Sequence, residues 1–535
     1  MQDKLFNKRH VARIVIELTT PMGVGSGDED ELKGQLVQKD WNGLPYLPGT
    51  SIMGVWRALF EGKRQEPAPS IFGSAKTDVG SKSDTASRLI CSAALVVDHK
   101  GRVHEEIVPE AELADYFKWL RHLPYRDHVK IDHKGTAKDK AKFGEEVVYR
   151  GTRFCLQVEM LAKEEEDELW KELLSCWWCS DDFLLGGGSR KGFGQFTIVQ
   201  LDAHTFDLTN ELDFSAYLAL SNALGNEFPF KGKPDEIAPF PKKWTTYTLA
   251  FSGENNFLHF GESYNDNLLD HIFKREAVIE WTPDGPILVK KMLIPGSSIK
   301  GALAHRVAYH WNKGNGHTLE ERLKAGLEKK GMAYLKSLQP DLLWAVPEEE
   351  EMKGFSLEKL QSLKTKIEKD IGLLQTFGGE LKGKINHYDV AGMLLNSERN
   401  EAVEALFGFV VEEEGKEEAK SQIGHLVIED TFLDIDSIQS KPFYHVAIDR
   451  FTHAPIDGAL FGEEAMIIPD KLDITIKIRA AEGLEKYIPF LQQAIDDLGN
   501  GQLMVGGLVN KGHGRLTASG DLPTLEPLNS SAHDQ

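Results

Sequence analysis

The stretch LLGGGSRKGFGQF, residues 184–196, sets five glycines around two adjacent cations, and VGGLVNKGHGRL, residues 505–516, overlies it without a gap. Gly186, Gly187, Lys191, Gly192 and Gly194 fall opposite Gly506, Gly507, Lys511, Gly512 and Gly514. Three further pieces repeat in the same order. LPYLPGTSIMGVWRALF (44–60) matches MLIPGSSIKGALAHRV (292–307) through Pro48/Pro295, Gly49/Gly296, Ser51/Ser298, Ile52/Ile299 and Gly54/Gly301. DHVKIDHKGTAKDKAKFGEEV (127–147) matches YHVAIDRFTHAPIDGALFGEEA (444–465), with His128, Val129, Ile131 and Asp132 opposite His445, Val446, Ile448 and Asp449. In the same pair, Phe143, Gly144, Glu145 and Glu146 fall opposite Phe461, Gly462, Glu463 and Glu464. Phe72-Gly73 and Phe407-Gly408 each precede an apolar strand, SAALVVDH or GHLVIEDT.

Four matches in one order mark a tandem duplication. We expect a first domain over 1–230, a second over 231–520 and a disordered tail over 521–535, joined through the Pro- and Lys-rich stretch 226–244. From Gly54 to Phe72 is 18 residues, whereas from Gly301 to Phe407 is 106, so the second half holds an insert over roughly 310–400. Its segments TLEERLKAGLEKKGMAYLKSL and SLEKLQSLKTKIEKDIGLL repeat apolar residues at threes and fours, as amphipathic helices do. In each half the order is strand, loop, helix, several strands, helix and glycine loop. RIVIELTT and TYTLAFSG alternate as half-buried strands, and Thr50 or Ser51 reads as an N-cap. This order predicts α+β, ferredoxin-like domains.

Composition narrows the function. An apolar fraction of 41% fits globular domains with real cores, and no run of apolar residues is long enough to span a membrane. The polar start reads as free of a signal peptide, and four cysteines suit a reducing cytoplasm. A net charge of −21 excludes diffuse attraction to nucleic acid, so any such partner must meet local cations or a groove completed by neighbours.

The glycine loops admit two readings. One is a helix C-cap and tight turn, with glycine filling left-handed positions. The other is an anion site built from Gly186, Gly187, Gly188, Ser189, Arg190 and Lys191, and from Gly506, Gly507, Asn510 and Lys511. Neither loop carries GxxxxGK[ST], and neither opens a helix after a strand, so nucleotide-binding fingerprints do not fit. Cys176 and Cys179 form a CxxC beside paired tryptophans and read as core packing rather than zinc ligands.

Together, the helix-start PGSS-x-K-G, the V-x-I-D…LFG-EE segment and the terminal GG…KGxG resemble the RAMP superfamily of CRISPR-associated proteins. They look most like backbone subunits (the Cas "seven" type) of type III effector complexes, and a tandem fusion resembles the type III-D variant. The resemblance implies a palm that holds guide RNA (crRNA) and a β-hairpin thumb that splays the guide–target duplex at about six-nucleotide steps. The thumb would lie between VxID and FGEE. It carries five lysines in the first half, including Lys130 and Lys134, and Arg450, Phe451 and Ile456 in the second.

The resemblance also implies that Ser51, Arg57, Ser298 and Lys300 meet guide phosphates at helix starts. Met53 stands opposite Lys300 and Ala304 opposite Arg57, so each half keeps one cation. His128 and His445 either touch RNA or are structural. Such subunits often cut target RNA with an acidic residue after the first strand. Here the segments are PMGVGSGDEDELKG (21–34) and NFLHFGESYNDNLLDH (256–271), and aligning Gly25 with Gly261 sets Asp30 opposite Asp266, with Asp28 and Asp270 nearby. Asp30 and Asp266 would hold Mg²⁺ or another divalent cation or take the 2′-hydroxyl proton; the other reading of DEDE is solvated surface. Expected partners are crRNA, target RNA, further backbone subunits and the large polymerase-like subunit, with no membrane. The alternatives are a non-catalytic scaffold or head subunit, or a guide-processing endoribonuclease using His513, whose counterpart is Phe193.

Overall fold

The computed structural model describes residues 6–30, 34–64, 68–74, 85–109, 114–131, 136–178, 182–232, 243–253, 256–266, 269–314, 400–411 and 420–526. The two amphipathic segments of the predicted insert, the predicted tail beyond 526, Lys134 and Cys179 lie outside these residues. In the first half the elements are β1 (Lys8–Leu18), β2 (Gly25–Asp30), β3 (Gly34–Val37), α1 (Gly49–Arg64), α2 (Pro69–Phe72), β4 (Leu89–Cys91), β5 (Leu95–Val96) and α3 (Asp115–Arg121). They continue with β6 (Tyr125–Ile131), β7 (Ala137–Glu146), β8 (Arg153–Ala162), α4 (Asp167–Ser175), β9 (Phe196–Asp207) and α5 (Glu211–Ala219).

The second half begins with β10 (Trp244–Ser252), β11 (Phe257–Leu258), β12 (Gly261–Asp266), β13 (Leu269–Phe273), β14 (Arg275–Thr282), β15 (Gly285–Ile294) and α6 (Gly296–Gly314). Then come α7 (Glu401–Phe407), β16 (Gly408–Val411), β17 (Lys420–Ile423), β18 (Leu426–Ile428) and β19 (Thr431–Asp434). The last elements are β20 (Ser440–Ile448), β21 (Pro455–Ile467), β22 (Leu472–Arg479), α8 (Ile488–Gly499) and β23 (Thr517–Ala518).

Each half builds the same antiparallel sheet. The order is β4-β8-β1-β9 in the first and β18-β22-β10-β23 in the second, the ferredoxin-like arrangement. β1 lies in the middle because its side chains are apolar on both faces, and Val11, Ala12, Ile14 and Ile16 are all buried. On α1, Ile52, Trp56, Leu59 and Phe60 recur at helical spacing and face this sheet. Burying each is worth about 1.5–3 kcal/mol, and the Trp56 indole donates to the Leu173 carbonyl at 3.0 Å, so nothing polar is stranded there. In the second half Ile299, Leu303 and Val307 of α6 pack with Leu491, Ile495 and Leu498 of α8 in a separate core.

Both helix starts differ from the sequence reading in one respect. Thr50 and Ser51 lie inside the first turn; the Pro48 carbonyl accepts the Ser51 amide at 3.0 Å, and Pro295 does the same for Ser298. The glycine after each proline is needed for contact, since a Cβ on Gly49 would sit 2.3 Å from the Cys91 carbonyl oxygen and one on Gly296 2.2 Å from that of Ile428.

A second sheet stands off each palm. β2-β3-β7-β6 in the first half is matched by β12-β13-β21-β20 in the second. The short hairpins pair Gly25 with Val37 and Gly261 with Phe273, and each joins the long hairpin in parallel at Gln35–Glu145 or His271–Glu463. The alignment of Gly25 with Gly261 is therefore a structural equivalence.

The halves meet through β6 and the β14–β15 hairpin. Arg126, on β6, forms a bidentate pair with Glu276 (2.6 Å to each oxygen) and reaches Asp430 at 2.7 Å, all three nearly inaccessible to water. Burial alone would lower the guanidinium pKa, but Asp430 and Glu276 hold it above its ordinary value. Alongside, Arg153 stacks on Trp281 at 3.7 Å, and the Trp281 indole donates to the Gly151 carbonyl. Removing one member of a buried ionic group leaves the others uncompensated. Arg126→Met should therefore destabilise the chain by about 3–5 kcal/mol in urea unfolding, and adding Glu276→Gln and Asp430→Asn should restore most of that loss.

Candidate nucleic-acid interface

The structure brings two of the repeated sequence pieces to one place in each half. Lys191 from the glycine loop, His128 from β6, and Phe143 and Glu145 from β7 form a single cluster. Lys191 Nζ and His128 Nε2 both lie 2.6 Å from Glu145 Oε1, His128 stacks on Phe143 (centroids 5.0 Å apart), and Lys191 Nζ sits 5.0 Å over the Phe143 ring. Burial works to raise the Glu145 pKa, but the hydrogen bonds from His128 and Lys191 outweigh it and leave the carboxyl below its ordinary value. In the second half Lys511 Nζ lies 3.3 Å and His445 Nε2 3.0 Å from Glu463 Oε2, with His445 and Lys511 each 5.0 Å from the Phe461 ring.

The next glutamate grips a different neighbour, because successive strand residues face opposite ways. Glu146 accepts the Val37 amide (3.1 Å) and pairs with Lys39 (3.0 Å). Glu464 accepts the Phe273 amide (3.1 Å) and pairs with Arg275 (2.8 Å). Sequence reasoning passed over these carboxylates because it was selecting cations for RNA. The available signal was a glutamate kept in both halves alongside a lysine kept in both halves.

The glycine loops superpose bond for bond. Gly187 and Gly507 donate to the carbonyls of Gly23 and His259, and Gly194 and Gly514 to those of Pro21 and Phe257. Within the loops Lys191 and Lys511 donate to Gly188 and Leu508, and Phe193 and His513 to the same two carbonyls. The reading of these loops as successive free amides around an anion is corrected at Gly187, Lys191, Gly507 and Lys511, whose amides are already taken. Lys191 and Lys511 are likewise paired with carboxylates. Gly186, Gly188, Gly192, Gly194, Gly506, Gly512 and Gly514 have φ between 77° and 88°, which is the turn reading.

The other sequence-selected residues are scattered around this cluster. Asp28 and Asp30 lie exposed on β2, and Asp30 stands close enough to Tyr125, at the root of β6, to raise its pKa after burial and Asp127. Asp266 ends β12 opposite Leu269, and its side chain lies outside the described residues, as does that of Arg190. The Asp270 carboxylate accepts the Gly462 amide at 2.7 Å, which ties the short hairpin to the long one. Ser51 and Ser298 face outward on the first turns of α1 and α6. The Gly296 amide at that turn is held by Asp430 at 2.9 Å, and Arg57 is paired with Glu61 at 3.0 Å. Lys300 is half-buried on α6, Lys130 and Arg450 are exposed on the long hairpins, and Asn510 is exposed in the loop.

His513 is buried against Phe257 and Phe443, and burial, then His259, lowers its pKa. Among the described residues no group of three His, Cys, Asp or Glu side chains suits a metal ion, and no helix is long and apolar enough to cross a membrane.

Two glycines of the repeat separate structure from surface. A Cβ on Gly194 would sit 2.0 Å from the Leu185 carbonyl oxygen and one on Gly514 2.1 Å from that of Val505, both at positive φ. Gly194→Ala and Gly514→Ala should each cost at least about 2 kcal/mol in unfolding measurements, the cost of a clash at a strained backbone position.

No curated protein matches the chain. The sequence profile of the RAMP superfamily matches residues 15–197 and 289–517, one span in each half and together more than half of the chain. The chain therefore belongs to the RAMP superfamily of CRISPR-associated RNA-binding proteins, with two RAMP regions of ferredoxin-like fold in tandem.

Proposed function

We propose that this chain is a tandem-fused, guide-RNA-binding backbone subunit of a type III CRISPR effector complex, of the type III-D kind, that cuts guide-bound target RNA at about six-nucleotide intervals. The observation that carries this reading is the repeated pair of hairpins. In each half a short hairpin bearing Asp30 or Asp266 is joined, at an equivalent residue, to a long exposed hairpin. The distance between cuts would then be the distance between two equivalent tips. The first long hairpin approaches RNA with lysines and the second with apolar side chains, Phe451 at 89% exposure foremost.

Gly54 and Gly301 support an RNA path over the helix starts. Both lie exposed on a helix, where glycine costs about 1 kcal/mol against alanine, and a Cβ at either would meet nothing in the chain. A backbone kept bare on the outside of both helices suits close approach of a ligand.

In the chemistry, the ribose 2′-oxygen beside the scissile bond attacks phosphorus as its proton leaves. A cyclic 2′,3′-phosphate forms, and the 5′-oxygen departs and takes up a proton. Asp30 or Asp266 accepts the hydroxyl proton or fixes a cation, and the long hairpin holds the nucleotide splayed for in-line attack. Carboxylate and phosphate oxygens suit a hard divalent cation such as Mg²⁺, which when bound would neutralise charge at phosphorus.

Target cleavage by the assembled complex in Mg²⁺ tests this. Asp30→Ala and Asp266→Ala should each remove one band of the ladder and leave guide retention unchanged; an intact ladder in both variants would reduce the chain to a non-catalytic scaffold. Gly54→Ala should slightly stabilise the free chain, by up to about 1 kcal/mol, yet weaken guide binding. Unchanged affinity would remove the RNA path from that helix face.

A further inference from the structure

We infer that Glu145 and Glu463 are positioning residues, each latching the root of its long hairpin to the neighbouring glycine loop and so fixing where the hairpin enters the RNA path. The inference rests on the reading of those hairpins as RNA wedges, but its physical content does not.

A two-stranded ribbon that projects from a fold has little of its own to fix its direction. Here β6–β7 and β20–β21 leave their sheets at Glu145 and Glu463, the residues that pair in parallel with Gln35 and His271. Beyond that point the side chains of Val129, Ile131 and Phe143, and of Tyr444, Val446 and Leu460, are exposed, and the contacts to the rest of the chain are few: His305 Nε2 lies 3.4 Å from the Ile131 carbonyl oxygen, and Asp270 accepts the Gly462 amide. Two consecutive carboxylates on opposite faces of the strand supply the contacts at the root. Glu146 and Glu464 hold the short hairpin on one side. Glu145 and Glu463 hold the glycine loop on the other through Lys191 and Lys511; His128 adds a hydrogen bond to Glu145, while His445 Nε2 lies 3.0 Å from Glu463 without forming one.

The repetition of histidine, phenylalanine, glutamate and lysine at matched positions argues for a geometric requirement. A lysine kept only to attract phosphate would not be paired with a carboxylate that cancels its charge. The first latch is the closer one, at 2.6 Å for both contacts against 3.3 and 3.0 Å in the second. Its loss should have the larger effect.

Glu→Gln keeps the shape and removes the charge. Amide hydrogen exchange of the full-length chain without RNA reads the latch directly. Glu145→Gln should speed exchange in residues 125–131 and 137–146 on the order of tenfold and leave 440–448 and 455–467 unchanged, with the converse for Glu463→Gln. Lys191→Gln cuts the first latch from its more exposed side, and in combination with Glu145→Gln should add little.

In the assembled complex the cognate cleavage band should weaken or spread to neighbouring nucleotides while guide retention stays equal or rises, because a lysine has been freed. Unchanged exchange in the cognate hairpin, or equal acceleration of both hairpins from one substitution, overturns the latch. A wild-type complex that neither retains guide nor cuts target overturns the RNA reading and leaves the exchange result standing.

Discussion

Two adjacent carboxylates at the root of each long hairpin hold the rest of the site in register. A carboxylate shielded from water is costly unless paired, and in the low-dielectric setting of the hairpin root each pairing is also stronger. Alternation along a strand then does the geometric work. One carboxylate must find donors on the side of the glycine loop and the next on the side of the short hairpin. The glycine loop can offer its lysine there because positive-φ glycines fold it into a tight turn, with the amides of Gly187, Lys191, Phe193 and Gly194 and their counterparts already taken. Loop, short hairpin and long hairpin thus form one mechanical unit resting on the palm sheet.

The two halves keep this unit and differ outside it. Arg126 pairs across β6–β7 with Glu145, and the residue paired with Glu463 across β20–β21 is Phe443. The guanidinium that plugs the first half into Glu276 and Asp430 therefore has a phenylalanine as its counterpart. One part of the receptor has changed as well: the Gly49 and Gly296 contacts place Asp430 opposite Ala93, whereas Glu276 has Asp40 as its counterpart. The junction is heterologous, and the charged plug is particular to it.

Much of this was legible in the sequence, for a physical reason. The duplication wrote each constraint twice, so glycines required by close contact and prolines at helix starts stood out by position. The Gly25–Gly261 alignment held in the strand register, and the ferredoxin-like order followed from the succession of strands and helices. Partners across space were not legible. Nothing local tells that Lys191 meets Glu145, 46 residues earlier, or that Asp270 takes the Gly462 amide rather than standing free. The N-cap reading of Thr50 or Ser51 falls two or three residues late because Pro48, lacking any side-chain acceptor, supplies the capping carbonyl from the backbone.

The acidity of the chain makes the placement of its cations decisive for an RNA partner. The latch pairs Lys191 and Lys511 with Glu145 and Glu463, Arg126 is sealed at the junction, and Arg57 is paired along its helix. Exposed cations stand on both long hairpins, Lys130 and Lys142 on the first and Lys441 and Arg450 on the second, where Tyr444, Phe451 and Leu460 are exposed beside them. The two hairpins are alike in backbone, and each presents both cations and exposed apolar side chains. On the proposed reading, contacts made by the cations would weaken with salt, and stacking of splayed bases would be much less sensitive to it. On the proposed reading, cations placed on the hairpins would let a chain of net charge −21 engage RNA without being basic as a whole.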